Sequence, residues 1–94
     1  MIVHKSVAEE ILEIFKQLFD AKFPIAKIKL IDEYNGEDRL SVADNNTSAF
    51  VFRSIIGQSQ LSFHAYGLAV DINPLLNPFV EDKEVIPSAG KKYL

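Results

Sequence analysis

The chain contains no cysteine and no tryptophan. Without thiols there are no disulfide staples and no thiolate zinc sites, so any metal must be held by His, Asp or Glu. No apolar run approaches the length of a membrane span. A basic surplus is also missing. Ten Lys and Arg stand against 13 Asp and Glu, for a formal net charge of −3, and Lys91-Lys92 is the single adjacent basic pair. Nucleic acid is therefore a poor partner. The start, Met1-Ile2-Val3-His4-Lys5, lacks the long apolar region of a secretory signal. The protein is expected in the cytoplasm, or in the cell envelope or periplasm if a signal has been removed.

What is present suits one small folded unit. Ninety-four residues, 48% hydrophobic and 24% charged, make a single domain over residues 1–94 and argue against disorder. A core of that size gives modest stability unless a metal, a partner or more chain adds to it.

Ser6 and Glu9 have the spacing of a capping box. Val7, Ile11, Ile14, Phe15, Leu18 and Phe19 then recur at helical spacing. Pro24 disfavours helix at Phe23, so a helix is expected from Val7 to Ala21 or Lys22. Residues 26–31 alternate apolar and Lys, the pattern of a strand with one solvated face, and Asp32 to Gly36 turn the chain. The stretch 37–48 is polar and open to more than one assignment, and within it Ala43 to Ser48 reads as a loop or short turn. Phe50 to Ile55 reads as a second strand closed by Gly57, residues 61–67 as a loop or helical turn, and Leu68 to Ile72 as a buried strand. Pro74 and Pro78 break regular structure in the tail. The expected class is α+β, with one N-terminal helix packed on a small, mainly antiparallel sheet.

The chemistry concentrates in Ser62-Phe63-His64-Ala65-Tyr66-Gly67-Leu68-Ala69-Val70-Asp71-Ile72. One imidazole and one carboxylate are separated by a small-residue turn and an apolar stretch, and zinc accepts both donor types. A sharp turn at Gly67 would let His64 and Asp71 face one point. Chance alone also places one His and one Asp near each other, and Asp71 before Asn73-Pro74 is a good turn starter.

The pattern Ser-x-His-x-x-Gly-x-Ala-x-Asp, filled by Ser62, His64, Gly67, Ala69 and Asp71, resembles the signature of the zinc D-alanyl-D-alanine carboxypeptidases. Their relatives, the L-alanyl-D-glutamate endopeptidases and vancomycin-resistance dipeptidases, share it. Flanking blocks are similar to one subgroup: Leu30 to Tyr34, Asn45 to Phe50 leading to Arg53, His64 to Gly67, Asp71 to Pro74, and Asn77-Pro78. The resemblance runs from about Val3 to Leu94.

That resemblance implies a hedgehog/DD-peptidase-like fold, incomplete at its C-terminus, and metal-assisted hydrolysis of a peptide bond beside a D-amino acid in peptidoglycan. His64 and Asp71 inherit the roles of zinc ligands. Arg53 inherits the cation that stabilises the substrate carbonyl as it gains charge, and Ser62 a contact to the substrate peptide. From the residues alone, Arg53 also fits a surface ion pair or a stack on Phe52 or Tyr66, and Ser62 a turn cap. The family's third zinc ligand, a His, and its acidic base lie downstream of Asp71, and the chain stops at Leu94 before them. The expectation is a complete form that is a zinc peptidase and a chain that is inactive alone, being a truncated, proteolytic or shortened product. The alternative is a non-catalytic remnant that binds a peptide or a protein. Exposed sheet edges would favour a homodimer.

Overall fold

The computed structural model describes residues 1–52 and 59–94. Helix α1 spans Ala8–Asp20, within two residues of the expected bounds. Its start differs from the expected capping box. The His4 ring accepts from the Ser6 N–H at 3.0 Å and bonds the Ser6 hydroxyl at 2.8 Å. Ser6 is thereby tied to a short 3-10 turn, Lys5–Val7, that leads into the helix. At the other end Lys22 adopts φ 58°. The Lys22 N–H donates to the Phe19 carbonyl and the Phe23 N–H to the Leu18 carbonyl. This double bond closes the last turn, and Pro24 prevents continuation. Ile11, Phe15 and Leu18 form the half-buried stripe of α1, while Leu12 and Phe19 stay exposed.

The buried centre is more polar than apolar. Val42, Ala49 and Val51 lie there beside Ser41, Asn46, Thr47, Ser48, Ser62, His64 and Asn73. Such groups are tolerated inside only when bonded, and asparagine amides supply much of the bonding. Asn46 accepts from the Lys29 N–H at 2.7 Å and donates to the Lys29 carbonyl and the Ser41 hydroxyl, both at 3.0 Å. Asn73 accepts from the Ala26 N–H at 3.1 Å and donates to the Pro24 carbonyl at 2.7 Å.

This side-chain bonding explains where the expected strands shrink. Residues 26–31 meet the neighbouring chain through one parallel bridge, Lys27 to Asn46. Beyond it the Asn46 amide occupies the Lys29 main-chain groups that a ladder would need, and a 3-10 turn follows at Ile31–Tyr34. The strand expected at 68–72 reduces to one antiparallel bridge, Ser48 to Asp71. Of the strand expected at 50–55, residues 50–52 form no ladder, and 53–55 lie outside the described residues, as does Gly57. The polar stretch 37–48 holds a short helix, α2, Asp38–Ala43, which buries Ser41 and Val42.

The regular sheet forms in the tail, between Pro78 and Pro87. Strands β1 (Phe79–Glu81) and β2 (Glu84–Ile86) pair antiparallel, Phe79 opposite Ile86 and Glu81 opposite Glu84. Asp82 turns the chain with φ 53°, a conformation Asp tolerates better than most residues. A 3-10 segment, Ser88–Tyr93, ends the chain. Gly90 is buried there, and a Cβ would sit 2.6 Å from the Leu75 carbonyl oxygen, so a larger residue would not fit. One N-terminal helix and a two-stranded antiparallel sheet make the chain a small α+β domain.

Asp44 ties three segments together. It accepts from Lys27 Nζ at 2.5 Å and from the Tyr34 hydroxyl at 2.7 Å. The Lys27 bond, then the Tyr34 bond, hold the Asp44 carboxyl below its ordinary range. Burial first, and then the bond to and charge of Asp44, push the Tyr34 phenol up to about 12. A raised phenol favours the protonated folded state. Its contribution is complete below the ordinary value of 10.0 and is lost as pH rises through about 12. The lowered Asp44 contributes above 3.8 and loses its contribution as pH falls through its folded value. Denaturant unfolding of the wild type and Tyr34→Phe will therefore show a stability difference that is constant from roughly pH 6 to 9 and shrinks between roughly pH 10 and 12. A difference unchanged across that alkaline range would contradict the clamp.

Candidate functional site

His64 sits in a 3-10 turn, Phe63–Tyr66, and Ser62 starts that turn. The Ser62 hydroxyl oxygen accepts from the His64 N–H at 3.2 Å, which is the turn-cap reading of this residue. The cap and the buried position of Ser62 fix the His64 main chain. Gly67 ends the turn with φ +69° and accepts at its carbonyl from the His4 N–H at 2.9 Å. A Cβ at Gly67 would lie 2.6 Å from His4 N and 3.1 Å from the Val3 carbonyl carbon. Glycine is required there both by conformation and by space.

The turn buries the His64 ring to 7% exposure while leaving Phe63 and Tyr66 exposed on either side. His64 Nδ1 lies 2.7 Å from the Ala49 carbonyl oxygen. A carbonyl oxygen only accepts, so Nδ1 carries a proton and donates. In the neutral ring the lone pair is then on Nε2. That atom lies 3.3 Å from Asp71 Oδ2. Asp71 is held in place by its own bridge. The Ser48 N–H donates to the Asp71 carbonyl at 3.0 Å and the Asp71 N–H to the Ser48 carbonyl at 2.9 Å.

The consequence is electrostatic. A neutral imidazole lone pair and a carboxylate oxygen face each other across 3.3 Å, and both are acceptors. The pair is favourable only with a positive charge between them or on the ring: a proton, which gives an ion pair, or a metal cation. Two donors held at about 2.0–2.1 Å by a tetrahedral zinc lie roughly 3.3–3.4 Å apart. The observed spacing fits two positions of such a site. Among the described residues no group of three His, Cys, Asp or Glu gathers. His4 is committed to its own turn through Ser6.

The structure thus brings together two of the four residues singled out, His64 and Asp71, with Ser62 directly behind His64. Arg53 lies outside the described residues. The Ala49 carbonyl was not legible beforehand, since a main-chain acceptor leaves no trace in residue type. Ser48 is visible only as part of the Asn45–Phe50 block. A shallow depression of about 220 Å³, including solvent at its mouth, is lined by Met1, Ile2, Leu30, Ile31, Ser48 and Phe50, and includes neither His64 nor Asp71. No described helix is long and apolar enough to cross a membrane.

The family model described as D-alanyl-D-alanine carboxypeptidase matches residues 56–94, a stretch that contains Ser62, His64, Gly67 and Asp71 and stops short of Arg53. No curated protein and no solved structure matches the chain. The match supports a relationship to that peptidase family over the segment that carries the site.

The Gly67 geometry yields a direct expectation. Gly67→Ala forces an alanine into the left-handed region, at about 1–2 kcal/mol, and drives its Cβ against main chain that has no flexible end to move. The unfolding midpoint will fall by about 8 °C or more. A thermal melt unchanged from wild type would show that the turn does not depend on this contact.

Proposed function

We propose that the chain carries part of the metal site of a zinc peptidase that hydrolyses peptides of bacterial peptidoglycan, as a D,D-carboxypeptidase or an L-alanyl-D-glutamate-type endopeptidase. One observation carries the reading: the Ala49 carbonyl directs the His64 lone pair at Asp71 Oδ2, 3.3 Å away. The family match over residues 56–94 supports the same assignment.

In this reading His64 Nε2 and Asp71 Oδ2 are two zinc ligands. Zinc held between them supplies a Lewis acid for attack on a peptide carbonyl. The chain's own residues do the rest of what is assigned to it. The Ala49 carbonyl fixes the imidazole tautomer and raises the basicity of Nε2. Ser62 sets the His64 main chain, and its contact to a substrate peptide is proposed from the resemblance. Arg53 is proposed, from the resemblance, as the fixed cation beside the carbonyl that gains charge. Such a cation acts most strongly in a water-poor site. A three-ligand catalytic centre needs one more protein donor.

A second reading, peptide or protein binding without catalysis, is favoured by the two-donor set among the described residues. The two readings separate in a zinc titration of the whole chain followed by NMR shifts of the His64 and Asp71 signals. The wild type will bind zinc, and His64→Ala and Asp71→Ala will each weaken binding by at least tenfold, as loss of one of two ligands requires. Absence of binding to the wild type, or binding unchanged in His64→Ala, would overturn the metal-site reading and leave the binding module.

A further inference from the structure

Ser48 is buried to 4% exposure, and its hydroxyl oxygen has no hydrogen-bond partner among the described residues. An orphaned buried hydroxyl is destabilising, so its retention asks for a reason. Its position supplies one. Ser48 and Asp71 exchange both main-chain hydrogen bonds, at 3.0 and 2.9 Å, and so stand directly opposite each other in an antiparallel bridge. Residues paired in this way project their side chains to the same face, with Cβ atoms about 5.5 Å apart. The Ser48 and Asp71 side chains are therefore neighbours on one face of the bridge.

Asp71 directs Oδ2 at His64 Nε2, and its side chain is 37% exposed. Ligating carboxylates are themselves hydrogen-bonded as a rule, and those partners fix their orientation. We propose that Ser48 is a positioning residue for Asp71: when a cation is shared by His64 and Asp71, the Ser48 hydroxyl donates to Asp71 Oδ1. In the structure the hydroxyl is not bonded to the carboxylate, and the proposed donation requires a turn about the Ser48 Cα–Cβ bond. Neighbouring residues then orient both ligands. The Ala49 carbonyl sets the His64 ring, and the Ser48 hydroxyl sets the Asp71 carboxylate.

This inference rests on the metal-site reading, and the test separates the two. Zinc titrations by NMR are compared for the wild type, His64→Ala and Ser48→Ala, together with metal-free unfolding midpoints. Ser48→Ala will lose about tenfold in zinc affinity. Its metal-free midpoint will be unchanged or raised, because a buried unpaired hydroxyl has been removed. A merely structural serine would lower affinity and midpoint together, and that result overturns the proposal. So does wild-type affinity in Ser48→Ala while His64→Ala still abolishes binding, which leaves the metal site standing. No binding to the wild type overturns both.

Discussion

The run from Asn46 to Ala49 is almost wholly buried, so its main-chain groups must find partners inside the protein. Most of those partners come from distant parts of the chain. The Asn46 N–H goes to Ser41, the Thr47 N–H to Lys27, and the Ser48 main chain to Asp71. Just beyond, the Phe50 N–H goes to Ile2 and the Val51 N–H to His64. The Ala49 carbonyl is taken by the His64 ring rather than by another strand. One buried segment thus gathers the N-terminus, the Lys27 segment, the His64 turn and Asp71 around itself. The candidate site is a by-product of that satisfaction, because the His64 ring and the Asp71 main chain are anchored on consecutive residues of the same run.

The same constraint shapes the rest of the architecture. A regular sheet would satisfy these groups with main chain alone. Here asparagine side chains do much of the work. Asn46 clamps Lys29, Asn73 clamps Pro24 and Ala26, and Asn45 accepts from the Leu75 N–H at 3.0 Å. The interior is consequently polar, and apolar surface such as Leu12, Phe19, Phe52 and Phe63 stays exposed. Stability in such a fold depends on hydrogen-bond geometry more than on buried apolar volume. Local rules that protect that geometry, such as the glycine at Gly67, matter correspondingly.

Those balances decide what the sequence could reveal. Helix α1 was legible because its stripe repeats over several turns. The site turn was legible because Gly67 and the His-to-Asp spacing are local, and the structure turns the chain there as expected. The strands at 26–31 and 68–72 were overread: alternation signals which faces are apolar, not whether a neighbour's main chain or an asparagine amide takes the hydrogen bonds. Helix α2 stayed open to more than one assignment because six residues carry little periodicity. The β1–β2 hairpin was not legible because its strands are three residues each and Pro74 and Pro78 signal broken structure just ahead of it. Ser62 could be read as a cap or a contact, and its geometry shows the cap.

The central claim is that the Ala49 carbonyl sets the His64 tautomer and so presents an Nε2 lone pair to Asp71. Nitrogen-15 NMR of the imidazole, at a pH where the ring is neutral, tests it most directly. The account predicts a protonated Nδ1 and an unprotonated Nε2 in His64. A ring protonated on Nε2, donating to Asp71, would contradict it and remove the basis for a cation site between the two residues.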